Sequence, residues 1–171
     1  MEPWIRDYIW VMPLLPLIGA AFNGLIGFKA GKRAVSWVGC GTVGAAFVFA
    51  LIAFFSLLQL PPEQRFLTDR VYTWFAAGEL KADAAFLLDP LSAIMILVVT
   101  GVGFVIHVYS IGYMAHDRSY WRFFSHLNLF IFFMLLLVLA DNLFLLFVGW
   151  EGVGLCSYLL IGFWFERPAA A

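Results

Sequence analysis

One carboxylate lies deep within an apolar stretch of membrane-spanning length. Glu151 is near the middle of the stretch from Leu143 to Phe165, roughly 5 Å from the centre of a bilayer at a helical rise of about 1.5 Å per residue. An acid at that depth is costly, so such residues normally face a protein interior or a wet cavity and have a partner. A low dielectric favours the neutral acid and a nearby cation favours the carboxylate, so moving the cation loads or releases a proton. The sequence therefore predicts that Glu151 carries protons.

The surroundings of Glu151 follow from helical spacing. Gly154 and Tyr158 come three and seven positions later, on the same face of a helix, and Tyr158 is the candidate polar neighbour. Gly149 and Gly152 keep other sides of the helix slim, which favours close packing against another helix. The simpler alternative is a protonated Glu151 that bonds to a neighbouring helix as structural glue, and we favour the functional interpretation.

The sequence offers Glu151 no cation of its own at the same depth. The lysines are all in predicted connections, and the arginines lie at segment ends or in connections. The lysine positions are Lys29, Lys32 and Lys81. A basic partner must therefore come from elsewhere.

Histidines are the next candidates for proton chemistry. His107 lies about 9 Å from the middle of the third predicted helix, and two interpretations stay open: a proton relay, or a neutral hydrogen-bonded packing residue. His126 and His116 are expected to have ordinary interfacial roles. His107 and His126 have comparable depth on adjacent helices, which leaves open the axial ligation of a haem in a cytochrome-b-like electron carrier. A purely structural membrane scaffold is a third possibility.

The composition assigns the chain to the membrane proteins. Apolar residues make up 64% of the sequence and charged residues 12%, and the mean hydropathy is +0.94. The net charge of -1 and the scattered basic residues provide no face for nucleic acid. Cys40 and Cys156 lie in separate apolar runs, without the spacing of an iron–sulfur or zinc site, and are interpreted as packing residues. We find no phosphate loop, dinucleotide fingerprint or nucleophile–base arrangement.

The hydrophobic segments predict an all-α integral membrane fold with about five transmembrane helices and a small extracytoplasmic β-hairpin between the second and the third. The fourth and fifth helices are separated by a tight polar turn, Asp141-Asn142, which caps the fifth. The predicted helices are Tyr8 to Phe28, Val35 to Leu60, Pro90 to Gly112, Phe123 to Ala140 and Leu143 to Phe165.

The long connection from Pro61 to Asp89 is expected to hold the hairpin. Val71 to Phe75 is rich in β-forming residues, Ala76 to Glu79 can turn, and residues 80–86 alternate in polarity as a one-sided strand does. Asp89 is expected to cap the third helix, because an Asp before a helix accepts the free amides of its first turn.

Three expectations concern organisation. We divide the chain into an N-terminal two-helix segment with the hairpin, residues 1–89, and the incomplete start of a helix bundle, residues 90–171. Basic residues are densest between the first two helices, which predicts an N-terminus outside and a C-terminal end inside. The first helix is not expected to be a cleaved signal peptide, because Glu2 and Asp7 interrupt a basic leader.

Several motifs carry a family resemblance. The stretch from Gly149 to Trp164, GWEGVGLCSYLLIGFW, resembles the fifth-helix signature of the antiporter-like chain L of bacterial NADH:quinone oxidoreductase, respiratory complex I, which corresponds to mitochondrial subunit 5. Four further motifs are similar to that family in the same order. They are Leu87 to Ser92, His107 to Met114, Tyr120 to Phe124 and Leu139 to Asn142.

The resemblance implies a function, cofactors and partners that the residues alone do not indicate. Members of this family translocate protons in the membrane arm, while NADH, FMN, iron–sulfur clusters and quinone belong to other subunits; no cofactor is expected in this chain. The glutamate that matches Glu151 pairs with a lysine on a later broken helix, which this sequence does not contain. The resemblance thus implies an N-terminal fragment, inactive alone and ending in a loop at Arg167 to Ala171, of a bacterial inner-membrane protein whose partners are other membrane-arm subunits and lipid.

Overall fold

The computed structural model describes residues 4–78 and 80–166, and it confirms the mostly helical fold with an inserted hairpin. Five helices are long and apolar enough to cross a membrane. They are α1 (Val11–Leu25, preceded by a 3-10 turn at Trp4–Tyr8), α2 (Gly27–Leu58), α3 (Pro90–Tyr113), α4 (Tyr120–Val138) and α5 (Leu143–Ile161). Glu2, Glu79 and the expected break at 167–171 lie outside the described residues.

The largest difference from the predicted boundaries is at the start of α2. We expected this helix from Val35, but helical backbone begins at Gly27 and is interrupted at Gly31, whose φ of +83° favours glycine. Hydropathy could not find this first part, because Lys29, Lys32 and Arg33 make it polar. These basic residues therefore sit on helical turns at one end of the bundle rather than in a loop.

The hairpin between α2 and α3 is longer than predicted. Strands β1 (Leu67–Ala77) and β2 (Leu80–Leu88) are antiparallel, with register shifts after Arg70 and Thr73. Gly78 occupies the turn with φ of +63°. Arg70 and Asp83 form a cross-strand ion pair at 2.8 Å.

Main-chain hydrogen bonds attach the hairpin to the bundle. The amide of Leu87 donates to the carbonyl oxygen of Leu139 at 2.8 Å, and the amide of Asp141 donates to that of Ala85 at 3.1 Å. On the other strand, the backbone amide of Trp10 donates to the carboxylate of Asp69 at 3.4 Å. Burial raises the pKa of the Asp69 carboxyl, and backbone hydrogen bonds from Trp10 and Ile9 partly oppose that rise.

Helix α1 packs between α2 and α4, α3 packs on α2 and α4, and α5 lies on the outer side of α4. The shared core is aliphatic and aromatic, with Val43, Ile96 and Leu135 fully buried.

The predicted cap of α3 is confirmed as a reciprocal capping box. The Ser92 amide donates to the Asp89 carboxylate at 2.7 Å, and the Asp89 amide donates to the Ser92 hydroxyl at 2.8 Å.

Candidate functional site

Glu151 lies on the exposed face of α5. Gly154 and Tyr158 share that face, as their spacing predicted, and Tyr158 is 76% exposed. The neighbouring exposed side chains, Trp150 and Leu155, are large and apolar. No hydrogen bond or ion pair reaches the Glu151 carboxylate from any residue within 4–78 or 80–166. The described helices thus present this acid on an apolar surface without enclosing it.

The opposite face of α5 packs closely on α4. A Cβ atom on Gly149 would lie 2.6 Å from the backbone nitrogen of Leu137, and one on Gly152 would overlap the ring of Phe133. A Cβ on Gly154, in contrast, would meet no described atom within 4 Å. The glycines at 149 and 152 therefore fix which side of α5 faces the bundle, and this leaves Glu151 on the other side.

Tyr158 connects the exposed face to one end of the bundle. It lines a cleft of about 370 Å³ between α4 and α5, together with Arg122 and His126. Arg122 also donates to the carbonyl oxygen of Phe163 at 3.3 Å, which holds its guanidinium at this end of the bundle. At a rise of about 1.5 Å per residue, Tyr158 lies roughly 10 Å along the helix axis from Glu151. A hydrogen bond between the two side chains would need intervening groups.

The structure does not bring His107 to Glu151. The His107 side chain is fully buried inside the bundle, where its Nδ1 lies 2.7 Å from the carbonyl oxygen of Gly103 and its ring packs edge-on against Phe124 of α4. Glu151 is on the outer side of α5. The two candidate groups therefore belong to separate environments.

The remaining histidines have different neighbours. The imidazole of His126 is half-buried and packs against Phe163, with ring centroids 6.4 Å apart. His116 is exposed in the turn between α3 and α4. Their interfacial roles stay a prediction.

Sequence reasoning missed two asparagines in the core. Asn23 on α1 and Asn128 on α4 are both fully buried, and Asn128 lies beside His107. The available signal was an amide interrupting an otherwise apolar run in each helix. Because these residues come from separate helices, only the packing of the bundle shows that they meet.

Comparison with known protein families agrees with this architecture. Residues 74–124 match the family described as "NADH-Ubiquinone oxidoreductase (complex I), chain 5 N-terminus", and residues 140–171 match "NADH:quinone oxidoreductase/Mrp antiporter, TM". The second match includes all of α5 and therefore Glu151. The chain thus falls in the class of antiporter-like membrane subunits.

Individual relatives specify the family further. The chain is 47% identical over 96% of its length to NADH-quinone oxidoreductase subunit L of Mycobacterium tuberculosis, and 43% identical over 92% to subunit L of Rickettsia bellii. It is 37% identical over 98% of its length to the chloroplastic NAD(P)H-quinone oxidoreductase subunit 5 of Mesostigma viride. The chain belongs to the complex I subunit L/chain 5 family, a different class from the cytochrome-b-like carrier that the histidines had left open.

The similarity covers only part of these relatives. The aligned region is 26% of the Mycobacterium protein, 24% of the Rickettsia protein and 26% of the Mesostigma protein. The chain therefore spans about a quarter of the length of the curated relatives it matches.

Proposed function

We propose that this chain is the N-terminal part of a proton-translocating membrane subunit of NADH:quinone oxidoreductase, and that Glu151 is its proton-carrying acid. The observation that carries the proposal is the placement of this carboxylate on an apolar, unenclosed face of α5, at membrane depth. Electron transfer from NADH to quinone, with its cofactors, takes place in other subunits. The partners of this chain are other membrane-arm subunits and lipid.

The exposed face of α5 is suited to receive a further membrane segment. Gly154 leaves space beside Glu151, and the apolar side chains around them would be desolvated by a helix packed there. The resemblance to the family implies that this segment brings a lysine. With a cation close by, the carboxylate is favoured; when the cation moves away, the low dielectric favours the neutral acid and a proton is taken up.

Tyr158 and the cleft beside it provide polar groups between Glu151 and the end of the bundle. The phenolic oxygen, Arg122 and His126 border the same space, and water there would continue a hydrogen-bonded path toward the acid. This end carries Lys29, Lys32 and Arg33, so the positive-inside rule assigns it to the cytoplasmic side of a bacterial inner membrane. The hairpin and the N-terminus then lie outside.

The proposal is tested by substituting Glu151 in the full-length subunit within the assembled enzyme. In sealed membrane vesicles, Glu151→Gln should lower the number of protons moved per NADH oxidised, whereas Glu151→Asp should keep most of it. Glu63→Gln is the matched control, because Glu63 is exposed in the connection before β1 and outside the five helices. Parental proton yield in Glu151→Gln, at an unchanged amount of subunit, would identify a structural scaffold instead.

A further inference from the structure

A group of buried polar side chains lies at the centre of the bundle, away from Glu151. Asn23 of α1, His107 of α3 and Asn128 of α4 are each 0% exposed. Phe124 and Ile131, also buried, are among the apolar residues around them. Helices α1 to α4 contain no acidic residue, so no carboxylate in these spans neutralises a charge in this group.

The hydrogen bonds of Asn128 fix the role of its oxygen. Its amide nitrogen donates to the carbonyl oxygen of Gly39 at 3.2 Å and to the hydroxyl of Thr42 at 3.0 Å. The amide is thereby oriented with Oδ1 as the remaining group, which is an acceptor. This oxygen is buried and has no hydrogen-bond partner among residues 4–78 and 80–166.

The tautomer of His107 follows from similar reasoning. Nδ1 lies 2.7 Å from the Gly103 carbonyl oxygen, which can only accept, so Nδ1 carries the hydrogen. In the neutral ring, Nε2 is then an acceptor, and it too is buried without a partner in the described part of the chain. The side chain of Asn128 lies next to this ring. Two acceptors are therefore neighbours, and they cannot bond to each other without a shared donor.

Asn23 adds a third unsatisfied side chain at the same place. Both atoms of its amide group are buried and find no partner in the described ranges, so rotating the amide does not solve the problem. Its nitrogen and Asn128 Oδ1 each lie 3.1 Å from the point where a Cβ on Gly39 would be. The absence of a side chain at Gly39 thus lets both asparagines approach the same point of α2.

We propose that Asn23, His107 and Asn128 form an internal water site. A water molecule can donate one hydrogen to His107 Nε2 and the other to Asn128 Oδ1, and it can accept from the Asn23 amide. This pattern gives a partner to His107 Nε2, to Asn128 Oδ1 and to the amide nitrogen of Asn23, and two to four polar partners are what a buried water requires. It keeps His107 neutral in an apolar region, where a cation without a counterion is costly.

The direct test is a structure of the assembled enzyme at a resolution that shows ordered water. We expect density about 2.7 to 3.2 Å from both His107 Nε2 and Asn128 Oδ1. Two results would overturn the proposal: direct contact of the three side chains with no density between them, or another segment of the full-length protein occupying the space.

A methyl group placed at this point of α2, against both asparagines, provides a test in the same enzyme. Gly39→Ala puts its Cβ between the two asparagines and 2.8 Å from a ring carbon of Phe124. Gly41→Ala is the matched control, since a Cβ there meets nothing within 4 Å among the described residues. We expect Gly39→Ala to lose the water density and Gly41→Ala to keep it. Unchanged density in an assembled Gly39→Ala enzyme would contradict the site.

If Gly39→Ala does not assemble, Asn23→Leu decides the question, because Leu has a similar shape and removes both unpaired amide atoms. In a dry core this change should raise the temperature at which the subunit dissociates from the purified enzyme, because it removes an unsatisfied polar group. In a hydrated site it removes a water ligand, so we expect that temperature to fall. A rise would overturn the proposal.

Discussion

The side-chain amide of Asn142 donates to the backbone carbonyl oxygen of Asp83 at 2.8 Å, which ties β2 of the hairpin to the first turn of α5. The oxygen of the same side chain accepts the backbone amide of Leu145 at 3.1 Å and caps the helix. Asn142 therefore has two tasks: its amide nitrogen binds the hairpin, and its amide oxygen caps the helix. The hairpin is thereby attached directly to the helix that carries Glu151.

These two tasks can be separated by substitution. Asn142→Asp keeps an acceptor for the Leu145 amide but loses the donor to Asp83, whereas Asn142→Ala loses both. Loss of an N-cap costs about 1 kcal/mol. In hydrogen exchange on the assembled enzyme, we expect both variants to loosen the hairpin and only Asn142→Ala to expose the Leu145 amide. Equal exposure of that amide in both variants would show that the cap is not supplied by this oxygen.

Close packing of α5 on α4 depends on Gly149. Gly149→Ala places a methyl group against the backbone of Leu137, which cannot move aside as a flexible side chain would, and overpacking of this kind costs about 1–3 kcal/mol. We expect less subunit in the purified enzyme, measured by quantitative immunoblotting. Gly112→Ala serves as the control and should retain more subunit, because Gly112 is exposed on α3 and a Cβ there meets no described atom within 4 Å. Equal amounts of subunit in the two variants would mean that α5 does not pack on α4 through Gly149.

The phenolic hydroxyl of Tyr158 is expected to assist proton transfer without being essential. Tyr158→Phe removes only the hydroxyl, and the axial separation of roughly 10 Å from Glu151 means that water can replace it in a hydrogen-bonded path. Proton yield per NADH in vesicles should fall less than in Glu151→Gln. Tyr109→Phe is a suitable control, because Tyr109 is similarly exposed, at 69%, but lies on α3. A loss as large as that of Glu151→Gln would assign Tyr158 a direct role.

Docking of the hairpin onto the N-terminal segment should depend on the charge of Asp69. Burial raises the pKa of this carboxyl above its ordinary value of 3.8. The folded state therefore favours the protonated form: docking is strongest below pH 3.8 and weakens as the pH rises through the raised pKa. Asp69→Asn keeps an acceptor for the Trp10 amide and carries no charge.

At neutral pH we expect the β1 amides of Asp69→Asn to be at least as protected from hydrogen exchange as those of the parent protein. This difference should shrink as the pH falls toward the raised pKa of Asp69. Asp83→Asn is the control, since its ion pair with the exposed Arg70 contributes little. Weaker protection in Asp69→Asn at neutral pH would show that the carboxylate, despite its burial, stabilises the docked hairpin.

Much of the fold could be predicted from local patterns. Long apolar runs predicted all five helices, alternation of polarity predicted the hairpin, and Asp89 before Pro90 predicted the cap of α3. The start of α2 could not be found in the same way. Its basic residues lower the hydropathy of a segment that is nevertheless helical, and Gly31 interrupts the helix there. The sequence predicted only Val71 to Phe75 for the first strand. Strand β1 is longer, Leu67–Ala77, because residues on both sides of that segment also pair with β2.

For the site, the sequence by itself determined that an acid lies at membrane depth and that Gly154 and Tyr158 share its side of the helix, since these are properties of one helix and its period. Tertiary structure alone decided that this side faces away from the bundle, because Gly149 and Gly152 must contact α4. It alone brought Asn23, His107 and Asn128 together from three helices. Contacts between helices depend on their relative positions, which no local pattern in the sequence specifies.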